Sequence, residues 1–381
     1  MKNRIYLDNN ATTFLDPRVC DVLHDHLDAD IANPSSVHIY GQESRALLTT
    51  ARRNIAKFLS VKPHEIIFTS GGTEAINMII RGIFGYNPSG HIITSDLEHA
   101  AVFCTAKQLE KHGCEVSFIS PGIYGAVTAE MVGEALRPDT KLITLMAVNN
   151  ETGVKTDIES IALMAAEAGV PFMVDAVALM GKEPFTIPQG VTAMCFSAHK
   201  FHGPKGVGMA FVRPSMKLQS HITGGGHEHQ RRSGTENLPG IVAMAEAVKI
   251  LSVEQDEATD RMRVLRDRFE EGLRENIPDI VINGEGPRVV NTTNIAFPGV
   301  DGESLLMNLD LEGLATSHGS ACSSGALEPS RVLLNMGISR SLAASSLRFS
   351  LCRFTTAEEI ERSIEVIADI VSRLNNLGVK K

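Results

Sequence analysis

The sequence predicts an α/β protein with a mostly parallel, doubly wound sheet in a large domain and a smaller α+β domain beside it. From about residue 46 to 215, short apolar runs alternate with amphipathic helical segments. Such alternation is typical of a parallel sheet covered by helices on both faces. The chain has 381 residues, and this length exceeds what one hydrophobic core usually supports. With 43% hydrophobic residues, the chain can form two cores. We expect residues 15–255 to form the large domain, and residues 1–14 with 256–381 to form the small one.

Seven strands are predicted in the large domain, each an apolar run bounded by Gly, Pro, Asn or Ser. They are EIIFTS (65–70), HIITS (91–95), EVSFIS (115–120), LITLMAV (142–148), PFMVDAV (171–177), AMCFSA (193–198) and GMAFV (208–212). A helical pattern over 239–275 is longer than a compact domain needs and is interpreted as the bridge to the second domain. The tail contains the strand-like SSLRFSL (345–351) and a helix whose Thr-x-x-Glu start in TTAEEI resembles a capping box.

Charge and cysteine content exclude several classes of protein. The chain carries 36 basic and 45 acidic residues, a net charge of −9, without a basic cluster, so a nucleic-acid partner is not expected. The N-terminal residues do not have the pattern of a signal peptide. The apolar stretch 161–181 does not predict a membrane span, because charged residues and a Gly-Val-Pro turn interrupt it. The six cysteines form no C-x-x-C pair, which favours a reducing compartment. We expect a cytoplasmic protein.

The segment TSGGTEAINMII (69–80) predicts an anion site. A strand runs into two glycines and Thr73 before a helix begins, so the backbone N–H groups of the first turn and the Thr73 hydroxyl could bind a phosphate. A tight turn with a helix N-cap is the other interpretation. The segment matches neither of the glycine-rich nucleotide fingerprints, G-x-x-x-x-G-K-[ST] and G-x-G-x-x-G.

Polar side chains follow several predicted strands. These segments are Glu98-His99, Asn149-Asn150-Glu151, Asp175 and Ser197-Ala198-His199-Lys200. In a parallel sheet such segments face one crevice, although each alone could be a turn, a helix cap or a structural histidine. An anion site, a carboxylate on a buried strand and a lysine in one crevice suit pyridoxal phosphate. That cofactor needs a phosphate cradle, a Schiff-base lysine and an acid for its ring nitrogen.

The order of motifs along nearly the whole chain resembles the cysteine desulfurase family. The segments that carry the resemblance are YLDNNATT, NPSSVH, EIIFTSGGTEA, HIITSDLEHAAV, VNNETGV, VDAV, FSAHKFHGPKGVG, GGGHEHQRRSGTEN, HGSACSSGALEPS and SSLRFSLCRFTTAEEI. This resemblance implies the pyridoxal-phosphate-dependent transferase fold type I, that of aspartate aminotransferase. Within the family, the chain resembles the branch with a long catalytic cysteine loop.

The resemblance also implies roles for individual residues. Cofactor binding falls to Gly72, Thr73, His99, Asp175, Ser197, His199, Lys200 and, from a second subunit, Thr235. Lys200 would form the Schiff base, Asp175 would pair with the ring nitrogen, and His99 would stack on the ring and relay protons. Asn150 and Arg348 would bind the substrate carboxylate, since a guanidinium suits a planar anion. Lys205 is better explained as a surface turn residue.

Three further positions need interpretation. The family usually carries a glutamine where this chain has Ala178, and losing one hydrogen bond to a charged oxygen costs about 1.5–3 kcal/mol. We therefore expect altered cofactor electronics or slower turnover.

Cys322 lies in a loop rich in glycine and serine, without apolar neighbours. We therefore interpret Cys322 as a mobile nucleophile, assisted by His318, and not as an inert core residue. His227-Glu-His229 does not have the spacing of a helical metal site, and no metal is expected.

The predicted reaction is the conversion of L-cysteine to L-alanine with a persulfide on Cys322. The sulfur would pass to an acceptor such as an iron-sulfur scaffold protein, and the enzyme would be a homodimer with active sites at its interface. A selenocysteine lyase or another β-lyase that uses the same cofactor is an alternative that would not need Cys322. A scaffold paralogue of low activity is a second alternative, suggested by Ala178. A nicotinamide dehydrogenase is the third, and it lacks the glycine fingerprint.

Overall fold

The computed structural model describes residues 4–319 and 328–378. Its strands are β1 (Ile5–Tyr6), β2 (Ile66–Thr69), β3 (His91–Ser95), β4 (Glu115–Ile119), β5 (Thr140–Met146), β6 (Phe172–Asp175), β7 (Ala193–Ser197), β8 (Gly208–Val212), β9 (Val281–Ile282), β10 (Thr292–Ala296), β11 (Leu314–Ala315) and β12 (Ser346–Ser350). Its helices are α1 (Pro17–Asp28), α2 (Ile39–Phe58), α3 (Gly72–Phe84), α4 (Ala100–Lys111), α5 (Ala129–Ala135), α6 (Ile158–Glu167), α7 (His227–Gln230), α8 (Leu238–Asn276), α9 (Gly302–Leu311), α10 (Arg331–Asn335), α11 (Arg340–Ala344) and α12 (Ala357–Gly378).

Strands β2 to β8 form a seven-stranded sheet of order β2-β8-β7-β6-β5-β3-β4. Strand β8 is antiparallel to both its neighbours, and the other pairs are parallel. The prediction of a mostly parallel sheet is confirmed, and each of its seven predicted strands is observed. Because β2, β3, β5, β6 and β7 run in the same direction, the segments after their carboxyl ends meet at one edge.

Helices cover both faces of the central sheet. Side chains alternate along a strand, so Phe68 of β2 packs into the core shared with α2 and α8, and Ile67 packs into the core shared with α3 and α4. Strands β3, β6, β7 and β8 are buried at every residue, as expected for strands covered from both sides.

The long helix α8 connects two hydrophobic cores. It begins after Asn237, whose side chain accepts a hydrogen bond from the backbone N–H of Gly240 (3.3 Å), and it confirms the helix predicted over 239–275. Its first half packs in the core of the central sheet, and its second half, with Phe269 and Leu273, packs in a separate core. Across the described ranges, no helix combines the length and the apolar composition that crossing a membrane requires.

The second core surrounds an antiparallel sheet of order β12-β10-β9. Helix α12 packs into it and starts with the predicted capping box. The backbone N–H of Thr356 donates to the Glu359 carboxylate (2.9 Å), and the backbone N–H of Glu359 donates to the Thr356 hydroxyl (3.2 Å). Strand β1 pairs with β11 and joins this core. The division into domains 15–255 and 1–14 with 256–381 stays a prediction.

Three consecutive residues of the short turn α7 adopt left-handed backbone conformations. The φ angles of Glu228, His229 and Gln230 are 45°, 57° and 65°, and a non-glycine residue costs about 1–2 kcal/mol in this region. The buried Glu228 carboxylate accepts hydrogen bonds from the Arg52 guanidinium (2.9 and 2.5 Å) and from the backbone N–H of Phe68 (2.8 Å). These contacts hold the turn against α2 and β2.

Replacing Arg52 by methionine is expected to lower the free energy of unfolding by about 3–5 kcal/mol, because it leaves the Glu228 carboxylate buried without its charged partner. The Glu228 side chain is only 1% exposed, so water cannot take over that role. Arg53 is exposed on the same helix, and Arg53→Met should change the free energy by less than about 0.5 kcal/mol. Urea unfolding measures both substitutions, and equal effects would refute the importance of this ion pair.

Candidate active site

A cavity of about 550 Å³ opens at the carboxyl edge of the central sheet. The predicted site residues that line it are Gly72, Thr73, His99, Asn150, Asp175, Ser197, His199, Lys200 and Arg348. Thr235 is exposed and does not line this cavity, and Cys322 lies outside the described residues. The structure therefore brings together the strand-end segments, as predicted, while the role of each residue stays a prediction.

The start of α3 forms one wall of the cavity. The N–H groups in the first turn of any α-helix have no acceptor within the helix, and Gly71, which precedes α3, has no side chain that could cap them. A Cβ on Gly72 would lie 2.7 Å from Cγ2 of Val177, so only glycine allows this approach. The same position lies 3.7 Å from the Cβ of Ser197. A serine hydroxyl and a free helix N-terminus thus lie together, as a phosphate group requires.

His199 contributes a neutral imidazole to the same region. Burial and the nearby charges of Lys200 and Lys205 lower the pKa of His199 to about 4. Its Nδ1 lies 3.1 Å from the Thr12 hydroxyl. Because a neutral imidazole has one N–H donor and one acceptor, His199 can hydrogen-bond an anion without carrying a charge itself.

Lys200 lies in a short 3₁₀ turn directly after β7. Its ammonium group donates to the backbone carbonyl of Ala11 (2.9 Å) and to that of Asn10. Sequence reasoning assigned no role to this N-terminal segment, although the polar run Asp8-Asn9-Asn10 after a short apolar strand was a signal. Lys205 is exposed, as expected for a turn residue, and also lines the cavity.

Asp175 and His99 are the titratable pair at the cavity floor. Asp175 ends β6 and is 5% exposed; burial raises the pKa of its carboxyl group, and one oxygen accepts the backbone N–H of Val177 (3.0 Å). His99 is the N-cap of α4 and accepts the backbone N–H of Ala101 at Nδ1 (3.1 Å). Burial lowers the pKa of His99, so the neutral ring carries its proton on Nε2.

Glu98, next to His99, is a buried carboxyl group that sequence reasoning left without a role. It is 1% exposed, and burial raises its pKa well above the usual value for a glutamate, with the nearby Asp175 carboxylate contributing. One oxygen accepts the backbone N–H of Met146 (3.1 Å). Both effects disfavour the charged form of the Glu98 carboxyl group beside Asp175.

Arg348 reaches the cavity from β12. Its side chain is 1% exposed and forms an ion pair with Asp8 (2.7 Å), and one of its Nη groups donates to the Asn150 backbone carbonyl (3.0 Å). Within the described ranges, its Nε is buried without a partner. Asp8 is a further residue that sequence reasoning missed, because it lies 340 positions away from Arg348 in the chain.

A second cavity of about 300 Å³ adjoins the first, with which it shares His99 and Asn150. Gly319 and Glu328, the last described residues on either side of the segment that contains Cys322, line it. His318 also lines it. The Nε2 of His318 donates to the Ala344 carbonyl (2.9 Å), and within the described ranges its Nδ1 is buried without a hydrogen-bond partner.

The segment with His227 and His229 does not gather metal ligands. The carboxylate between the two histidines is bound by Arg52, and the part of the chain that the structure describes contains no group of three or more His, Cys, Asp or Glu residues placed to hold a metal ion. Further along, Arg232 pairs with Glu74 (2.8 Å), which lines the main cavity. The segment that carries Thr235 is therefore anchored beside the site.

A sheet of this strand order, with a lysine, a buried aspartate and a helix N-terminus at its carboxyl edge, defines the class of pyridoxal-phosphate-dependent transferases of fold type I. The family model "Aminotransferase class-V" matches residues 5–362. The chain is 42% identical to "Cysteine desulfurase" of Nostoc sp. over 377 residues, covering 98% of this chain and 94% of that protein.

Two further matches agree with this one. Identity to "Cysteine desulfurase IscS" of Pectobacterium carotovorum subsp. carotovorum is 44% over 387 residues, covering 99% and 95% of the two chains. A solved structure described as "NifS-like protein" superposes with a TM-score of 0.90 at 36% identity, covering 97% of this chain and 100% of that one. The chain thus belongs to the class-V aminotransferase family, and within it to the cysteine desulfurases, which confirms the resemblance seen in the motifs.

Proposed function

We propose that this chain is a pyridoxal-phosphate-dependent cysteine desulfurase that converts L-cysteine to L-alanine and leaves the sulfur as a persulfide on Cys322. The observation that carries the proposal is that Lys200, Asp175 and Arg348 line a single cavity next to a free helix N-terminus. The names of relatives more than 40% identical to this chain support the same reaction.

The residues of the cavity fit pyridoxal phosphate. The phosphate group would lie at the start of α3 with Gly72, Thr73, Ser197 and His199. Among the described residues, no cationic side chain forms an ion pair with the buried Asp175 carboxyl group, which accepts the Val177 backbone N–H. A protonated ring nitrogen would supply a positive charge there. Lys200 would hold the cofactor covalently, His99 would stack on the ring, and Thr235 would reach the phosphate from a second copy of the chain.

Bound pyridoxal phosphate supplies an electron sink for the charge that develops at the substrate α-carbon. The side chains do the remaining work. Arg348 and Asn150 orient the substrate by its carboxylate. The Nη groups of Arg348 already bind Asp8 and the Asn150 backbone carbonyl, whereas the Nε of Arg348 still needs an acceptor among the described residues. A carboxylate offers that acceptor in the matching planar geometry.

Proton transfer falls to two residues that line the cavity. The Lys200 amine, once released, removes the α-proton as a general base. His99 is neutral and carries a proton on Nε2, because Nδ1 accepts a hydrogen bond from the Ala101 backbone. It can therefore donate that proton to the substrate carbon and take another one up.

Sulfur transfer falls to Cys322, which is three residues beyond Gly319, a residue of the second cavity. Three residues span at most about 11 Å, and this cavity shares His99 and Asn150 with the main one. The Cys322 thiolate attacks the substrate sulfur, so that a sulfur–sulfur bond forms while the carbon–sulfur bond breaks. The carbon keeps that electron pair and takes up a proton, which yields alanine and a persulfide without any external oxidant.

We further propose a homodimer in the cytoplasm that passes its sulfur to an acceptor such as an iron-sulfur scaffold protein. The described cysteines Cys20, Cys104, Cys114, Cys195 and Cys352 are free thiols, which supports a reducing compartment. The exposed position of Thr235 beside the anchored Arg232 supports a contribution to a second subunit.

Incubation of the purified protein with L-cysteine tests the proposed function. We expect alanine to form and the peptide containing Cys322 to gain one sulfur atom in the mass spectrum after alkylation. L-serine is the matched control, since it has the same amino and carboxylate groups but no sulfur to transfer. A protein loaded with cofactor that forms no alanine would instead support the scaffold paralogue of low activity, which the absence of a donor at Ala178 favours.

A further inference from the structure

A second lysine lines the main cavity, and the proposed mechanism does not use it. Lys182 is only 2% exposed. Its ammonium group donates to the backbone carbonyl of Lys200 (3.0 Å), and its own carbonyl accepts the hydroxyl of Thr259 from α8 (3.0 Å). Lys182 therefore connects the long helix α8 to Lys200, in the short turn after β7.

The surroundings of Lys182 do not neutralise its charge. Within the described residues, no carboxylate forms an ion pair with this ammonium group, and burial lowers its pKa to about 8. The titratable and charged groups that face it are Lys200, His199 and His202 from the segment after β7 and Cys352 and Arg353 from the segment after β12. At neutral pH most Lys182 side chains keep their proton, so a positive charge persists at the Lys200 backbone carbonyl.

The neighbouring turn makes this charge relevant to the cavity. Ala178, four residues before Lys182, lines the same cavity and has no hydrogen-bond donor in its side chain. Lys182 is thus a polar residue of the turn after β6 that lines this cavity. A lysine beside another cation loses its own proton more readily, which is one way in which proteins activate an amine.

We propose that Lys182 is a positioning residue for Lys200: its buried ammonium group holds the Lys200 backbone carbonyl, and its positive charge acts on the Lys200 amine. The inference rests on the proposed function, in which Lys200 binds the cofactor. The second charge disfavours the protonated form of the Lys200 nitrogen, whether this nitrogen is free or linked to the cofactor.

Spectrophotometric titration of the cofactor-loaded protein tests this inference without measuring activity. The visible band of the cofactor changes as the nitrogen linked to Lys200 loses its proton. Lys182→Gln keeps a donor for the Lys200 carbonyl but removes the charge, so its midpoint should rise by about one pH unit, a tenfold change in proton affinity. Lys182→Arg keeps the charge and should titrate like the unmodified protein. The exposed Lys111 provides the matched control, Lys111→Gln, which should leave the midpoint unchanged.

The outcomes are distinguishable. A midpoint in Lys182→Gln equal to that of the unmodified protein would overturn the inference, even if the substitution lowered the melting temperature. If Lys182→Gln does not fold, a midpoint in Lys182→Arg about one unit above that of the unmodified protein would overturn the inference in the same way. An unmodified protein that shows no visible band and no borohydride-stable cofactor would instead contradict the proposed function.

Discussion

Replacement of Lys200 by alanine should reduce alanine formation from L-cysteine by about 10⁴-fold or more, because it removes both the covalent attachment of the cofactor and the general base. The ammonium group lies in the main cavity, held by the backbone carbonyls of Asn10 and Ala11. Borohydride reduction followed by peptide mapping checks the attachment site directly. The cofactor should remain on the peptide that contains Lys200 in the unmodified protein and on no peptide of the variant.

Lys205 is the matched control for this experiment, because it also lines the cavity but is exposed in the turn after Lys200. Lys205→Ala should retain activity within about threefold, as expected for a surface substitution. A borohydride adduct at Lys205, or an adduct that persists in Lys200→Ala, would show that the Schiff-base lysine has been assigned to the wrong residue.

Replacement of Cys322 by serine should reduce the turnover of L-cysteine to the background rate and abolish the persulfide, while cofactor binding stays intact. A hydroxyl group cannot accept sulfur from the substrate, whereas the residues of the main cavity are unchanged. Alanine formation and the mass of the alkylated Cys322 peptide measure the loss, and the visible spectrum of the cofactor measures binding.

Cys104 is the matched control, since it is an exposed thiol on α4, and Cys104→Ser should behave like the unmodified protein. Cys195 is unsuitable as a nucleophile because burial raises the pKa of its thiol well above the usual value for cysteine. If Cys322→Ser still released alanine from L-cysteine at the original rate, the nucleophile would be another group. The selenocysteine lyase would be favoured if this variant cleaved selenocysteine at the original rate and the unmodified protein formed no persulfide.

Much of the fold follows from local pattern. The strands β2 to β8 are short apolar runs bounded by turn residues, and each was predicted with end points within two residues of those observed. The helix α8 was also predicted, because apolar residues at helical spacing over so many residues indicate an amphipathic helix. The polar segments after β6 and β7, with Asp175 and Lys200, were predicted to meet because parallel strands end at one edge.

The sequence by itself therefore determined the class of fold and many of the residues that line the main cavity, since hydrophobic periodicity is local and the alternation of strands and helices favours parallel pairing. Only the tertiary structure decided which groups hold those residues. Asp8 pairs with Arg348, the backbone carbonyls of Asn10 and Ala11 accept hydrogen bonds from Lys200, and Lys182 donates to the Lys200 backbone carbonyl. Apart from Lys182, these partners lie far apart in the chain, and their contacts arise when the N-terminal segment packs between the two cores. No local pattern encodes the burial that lowers the pKa of the Lys182 ammonium group or raises the pKa of the Glu98 carboxyl group.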